Sequence, residues 1–220
     1  MMTSIDFLSW VRGPVFIMAT AIFVFGISLR LLEIVSLRRK PDYSAPRGSR
    51  MVGGMRTLFS RSMYDKSTFQ RSAFTIVAGY IFHLGLFIVT FLSVPHILLF
   101  RELFGFDWFG LPTILIDAVT VITLLAMLVL LIHRLKNPVR RFLSTFENYV
   151  VWTVTFLPLL TGYMAYHHSV FPYPLMLGLH ILSVEILMVV FPFTQLMHTF
   201  TLFMARWHTG ANAGHRGIQV

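Results

Sequence analysis

The chain has 220 residues, of which 56% are hydrophobic and only 12% charged, with a mean hydropathy of +0.73. A soluble domain carries about twice that charge fraction, so the class is integral membrane protein. There is no cysteine, which excludes disulfides, thiolate metal sites, iron–sulfur ligation and covalent haem attachment through Cys-x-x-Cys-His within this chain. A redox group would have to be held by histidine or bound without covalent bonds. The net charge of +9 is read through its placement along the chain, and nucleic acid is not implied.

In chain order, "MMTSIDFLSWVRGPVF" makes a poor signal peptide: its one basic residue is late and no small-x-small site closes the apolar run. The first helix is therefore expected to stay in the mature protein. Five stretches are long enough for the roughly 30 Å hydrocarbon layer, which takes about 20 residues. They run over about 14–37, 74–100, 112–132, 149–166 and 175–205. A basic, glycine-containing loop over 38–73 joins the first two, and the other loops are short. The fold class expected is an all-α bundle of five transmembrane helices forming a single membrane domain over 1–220. With the N-terminus outside, 16 of the 18 lysines and arginines fall on the inner side, leaving only Arg12 and Arg101 outside. That bias predicts N-out and C-cytoplasmic, in a prokaryotic cytoplasmic membrane. The basic loops read as topology signals and lipid-headgroup contacts, or as a docking face for an acidic cytoplasmic partner.

Nine histidines are present, and depth sorts them. His208 and His215 are in the tail, His133 is at the inner end of the third span, and His167 and His168 are at the outer end of the fourth. These five read as interfacial. His83 and His96 in the second span, and His180 and His198 in the fifth, lie inside apolar runs, where an ionisable residue is a functional candidate. A plain helix–helix hydrogen bond is worth only about 0.6 kcal/mol there. On an uninterrupted helix His180 and His198 share one face about 27 Å apart. The second and fifth spans are antiparallel, so His83 can face His198 and His96 can face His180, one pair near each surface. The strain is on the second span, where thirteen residues give only about 20 Å. Helix tilt and a kink at Pro95 are what would absorb it. A pair of imidazoles from facing helices is how a bundle holds a haem iron. With both axial positions filled, such a group transfers electrons. A histidine-lined metal or proton-coupled transporter, and a haem-free anchor, are the competing classes.

"IFHLGLF" around His83 and "LHILSVEILMVVFPFTQLMH" from Leu179 to His198 resemble the ligand segments of the gamma subunit of respiratory nitrate reductases, a five-helix cytochrome b with two haems. The resemblance covers helix order, topology and most of the second to fifth spans, including the eighteen-residue gap. It implies that His83 and His198 hold a haem nearer the cytoplasm and that His180 holds the outer one. The fourth ligand departs: the family's position, ten residues after the first, is Ser93 here. Either His96, in "SVPHILLF", replaces it or the outer haem is absent, and His96 is the ligand taken here. Related short cytochromes accompany heterodisulfide-reductase-like iron–sulfur proteins in sulfur and sulfate metabolism, and the chain resembles those at least as well. The implied function is electron transfer between a quinone pool and a cytoplasmic iron–sulfur partner. An extracytoplasmic cytochrome or another membrane subunit would complete the complex.

Around these ligands, Pro192 is expected to kink the fifth span, and Gln195 lies three residues before His198. Arg71, Arg134 and Arg206 sit where inner propionates would emerge, and Arg101 sits on the outer side. Glu185 is about 140° round the helix from His180, so it cannot ligate the same iron. It is a candidate to carry a quinol proton, as is Asp117 near the outer end of the third span.

Overall fold

The computed structural model describes residues 3–37, 42–62 and 66–218, and every regular element among them is helical. Residues 38–41 and 63–65 of the expected basic loop, with Arg38, Arg39 and Lys40, lie outside the described residues. Ten α-helices follow in order: α1 (Ser4–Trp10), α2 (Phe16–Ser36), α3 (Arg50–Ser60), α4 (Lys66–Leu92), α5 (Val94–Phe104), α6 (Thr113–Lys136), α7 (Pro138–Leu143), α8 (Phe146–Tyr166), α9 (Tyr173–Val190) and α10 (His198–His215). Five helical stretches are long and apolar enough to cross a membrane: Ser4–Ser36, Lys66–Leu92, Thr113–Lys136, Phe146–Tyr166 and Tyr173–Phe193.

Several span ends differ from the hydropathy reading, and the second span begins eight residues early, at Lys66. The first begins ten residues early, because Thr3 and Asp6 form a reciprocal capping box that satisfies two orphan amides. A π turn over Val11–Val15, containing Pro14, then carries the chain into α2 without a stop. The second ends at Leu92. Ser93 is extended (φ −78°, ψ 127°), and α5 restarts with Pro95 in its first turn, where a missing amide costs nothing. The fifth ends at Val190, followed by a 3-10 turn at Phe191–Phe193, an extended Thr194 (φ −131°, ψ −180°) and another 3-10 turn at Gln195–Met197. The expectation that His180 and His198 share one face of a single straight helix is therefore corrected. Pro192 removes an amide from the ladder, and its own carbonyl accepts from Arg30 Nε at 3.4 Å. His198 is the first residue of a new helix.

The chain divides into two compact units. One comprises Met1–Ile22 with Ala73–Val190, the other Phe23–Ser72 with Phe191–Val220. In the first unit α4, α6 and α8 share a core of Leu124, Met127 and Leu159, flanked by Phe82, Leu86, Val89, Trp152, Phe156 and Leu160. The Trp152 indole donates to the Met127 carbonyl at 3.0 Å, as a buried indole must find an acceptor. α9 packs on α8 and on α1.

In the second unit the basic loop holds a helix of its own, α3, which packs on α10. The loop before α3 is tied to the chain's tail. The Arg47 amide donates to the His215 carbonyl at 2.8 Å, His215 Nε2 donates to the Ser44 carbonyl at 3.2 Å, and Arg216 Nε donates to Asp42 at 3.4 Å. The Ser44 hydroxyl and amide, followed by the Arg216 guanidinium, hold the Asp42 carboxyl at about 2, down from 3.8. A folded value below the unfolded one contributes stability above the unfolded value and loses it as pH falls through the folded one. This tie is therefore expected to hold above about pH 4 and to release between about pH 4 and pH 2. Amide exchange at Ser44 and Arg47 across that window measures it, and Asp42→Asn should flatten the profile.

Candidate functional site

His96 and His198 fall beyond the ends of the spans, in α5 and α10, yet two of the four candidate histidines meet within the first unit. The rings of His96 (α5) and His180 (α9) lie with centroids 6.1 Å apart and planes 22° from parallel. The sequence reading paired these two, and the helix breaks at Ser93, three residues before His96. Breaking a helix orphans carbonyls that must find new donors. Here His96 Nδ1 donates to the Val89 carbonyl at 3.0 Å. The Trp108 indole donates to Phe91 O at 2.6 Å, and the Leu111 amide donates to Leu92 O at 2.9 Å. The break thus aims the imidazole, and the imidazole in turn satisfies the break.

His180 is positioned from α8. Its Nδ1 donates to the Pro158 carbonyl at 3.1 Å, with the Thr161 hydroxyl 3.5 Å away. Thr161 also meets Ser183 Oγ at 3.1 Å, and Ser183 bonds the His180 carbonyl at 2.7 Å. The ring lies flat against Gly162, where a Cβ would stand 2.9 Å from Cε1 and 3.1 Å from Nδ1. No side chain larger than hydrogen fits without moving the imidazole. Gly162→Leu is accordingly expected to displace His180 and weaken any ligand held by the pair by tenfold or more, readable in the affinity of the purified protein for haem.

His83 is on α4 in the first unit and His198 opens α10 in the second. Both are exposed. His83 Nδ1 donates to Gly79 O at 2.7 Å and His198 Nδ1 to Gln195 O at 2.7 Å. All four histidines therefore share one tautomer. A carbonyl accepts only from a protonated nitrogen, so Nδ1 carries a hydrogen in each ring, and in the neutral ring that leaves the lone pair on Nε2. That is the second-shell arrangement found behind metal-bound histidine. For His96 and His180 the ring centres are also close, 6.1 Å apart. Among the described residues no three His, Cys, Asp or Glu side chains gather into a larger metal-binding group.

The remaining candidates scatter. Arg101 forms an exposed ion pair with Asp107 at 3.2 Å. Arg206 donates to Ser62 Oγ at 3.1 Å in the second unit. Arg71 is exposed on α4, just before the kink at Ser72, and Gln195 is exposed in the 3-10 turn before His198. Asp117 pairs with His167 Nε2 at 3.2 Å, and beside it Thr113 and Tyr166 hydroxyls meet at 3.1 Å. His167 had read as merely interfacial. Fifty residues separate it from Asp117, and no spacing rule links them. Glu185 is 2% exposed, and among the described residues neither carboxylate oxygen has a hydrogen-bond partner.

No family model matches the chain, and no solved structure matches it. Over 143 residues it is 30% identical to a protein of Nitratidesulfovibrio vulgaris (strain Hildenborough) named simply "Protein". That similarity covers 65% of this chain and 63% of the relative, so the chain spans less than two thirds of the relative's length.

Proposed function

We propose that this protein is the haem b membrane subunit of a respiratory redox complex, N-terminus outside, passing electrons between a membrane quinone pool and a cytoplasmic iron–sulfur partner. The observation that carries the reading is the His96–His180 pair: near-parallel rings 6.1 Å apart, each with Nδ1 committed to a main-chain carbonyl. His96 and His180 would hold one haem. Assignment of a second to His83 and His198 rests on the sequence resemblance. When bound, a haem with two imidazole axial ligands supplies a one-electron centre with no open position for oxygen or substrate.

The chain's own residues do the positioning. Val89 O and Pro158 O fix the tautomers, and Gly162 leaves room for the ring of His180. Asp117 with His167 offers a hydrogen-bonding pair that can exchange protons. In the second unit, α3, α10 and their flanks carry Arg47, Arg50, Arg56, Arg61, Arg206 and Arg216 against Asp42. That charge suits an acidic protein partner or anionic lipid.

A reduced-minus-oxidised absorbance spectrum of the purified protein decides the matter. A b-type signal from two centres is expected. Absence of any haem signal sinks the reading in favour of an anchor, and stoichiometric binding of a divalent metal without haem would favour a transporter.

A further inference from the structure

We infer that Glu185 is a proton-holding acid inside the bundle, its proton occupancy linked to the charge at the His96–His180 site; this rests on the redox reading of that site. Three observations place it. Glu185 is 2% exposed, and both its oxygens lack a hydrogen-bond partner among the described residues. An ionised carboxylate so placed costs several kcal/mol, and even the neutral acid forgoes its hydrogen bonds there. Leucine would fill the space more cheaply, so the acid is not there for packing.

Its position is also distinct. A Cβ on Gly178 would meet the Phe7 ring at 2.7 Å and the Leu8 Cα at 3.7 Å, so that face of α9 lies on α1. Glu185 is seven residues further on, which returns it to within about 20° of the same face, about 10 Å along the axis. The partner at that depth is the π turn over Val11–Val15, which packs on α9, holds Pro14 and has Val11 completely buried. π turns recur at functional sites. Thr20, in the helix that follows, has the remaining buried side-chain oxygen without a partner among the described residues.

The titratable groups on the elements packed here are few. The first span has Asp6, bonded to Thr3, and Arg12, with Arg30 and Glu33 paired to each other at 2.9 Å beyond the first unit. α8 has Glu147, Tyr149, Tyr163 and Tyr166, and α9 has Tyr173 and His180. None of them hydrogen bonds to Glu185. The nearest group along its own helix that the function uses is His180, five residues or about 7.5 Å away. At that range in a low-dielectric interior an added negative charge strongly favours the protonated acid. An electron arriving at the site draws a proton onto Glu185, and its departure releases that proton.

The test is a redox-difference infrared spectrum of the full-length, haem-loaded protein, paired with potentiometric titration at several pH values. In the reduced wild type a protonated-acid carbonyl band is expected, weaker on oxidation, shifted in D2O and missing from Glu185→Gln. The midpoint potential of the His96–His180 centre should fall with rising pH in the wild type and run flatter in Glu185→Gln, whose unchanged absorbance spectrum shows that the site is intact. No band assignable to Glu185 in the reduced protein overturns the inference, and so does an equal pH slope in both proteins. Failure of the redox reading looks different. Without any redox centre there is no midpoint to titrate, and the linkage falls with that reading even if the acid band is present.

Discussion

If the protein carries the two haems proposed for it, His180→Ala is expected to abolish one and leave the other, with the loss read as half the b-type absorbance and one missing step in a redox titration. The imidazole of His180 does two jobs. It faces His96 across 6.1 Å and it donates to the Pro158 carbonyl. Removing it deletes the ligand and also takes a donor from a part-buried carbonyl, a loss of about 1–3 kcal/mol. Thr161 reaches the same carbonyl at 3.4 Å and should recover part of that. The protein should therefore still fold, and His180→Gln, which keeps a donor but is a poor haem ligand, should recover stability without recovering absorbance. His96→Ala should remove the same centre. If either variant retains both centres, the pairing of His96 with His180 is not the haem site.

The five spans were legible because apolar runs of about 20 residues have few alternatives in water or lipid. Their ends were not, because hydropathy reports apolarity and says nothing about hydrogen-bond continuity. "LSVPHILLF" is apolar throughout, yet the ladder stops at Leu92 and three carbonyls are taken over by His96, Trp108 and Leu111. Pro192 read as a kink; with Thr194 extended it is a full interruption. The His96–His180 pair was nevertheless reachable by counting turns. Fixed tautomers, the Gly162 contact and the Asp117–His167 pair depend on which helices touch, and a lone sequence carries no signal for that.

The α3–α10 contact was hidden more deeply, since Arg50–Ser60 sits inside what reads as a basic loop, and it sets the other large expected effect. Gly53→Val should open the second unit while leaving the His96–His180 centre in the first unit intact. A Cβ at Gly53 would sit 2.7 Å from Gly214 Cα and 3.0 Å from its nitrogen, and closer still to Gly210 O. The reverse contacts are as tight: a Cβ at Gly214 would fall 2.5 Å from Ser49 O and 2.9 Å from Gly53 Cα, and one at Gly210 would fall 2.5 Å from Gly53 O. These obstacles are backbone, not the ends of flexible side chains, so the helices must separate to admit a branched residue. Separation would also expose Thr57, now 3% exposed, and strip Trp207 from Gly54, where an added Cβ would lie 2.8 Å from the indole. Overpacking of a tight contact costs about 3 kcal/mol at its upper range, and nothing nearby can relax to lower it. Amide exchange in α3 and α10 should accelerate by about a hundredfold, since each 1.4 kcal/mol is worth a factor of about ten. The ties from Asp42, Ser44 and Arg47 to the tail should loosen with them. Gly79→Ala, with no atom within 4 Å of the new Cβ, should instead hold or raise stability by up to about 1 kcal/mol. If Gly53→Val exchanges at the wild-type rate, the close glycine contact between α3 and α10 is not what holds the second unit together.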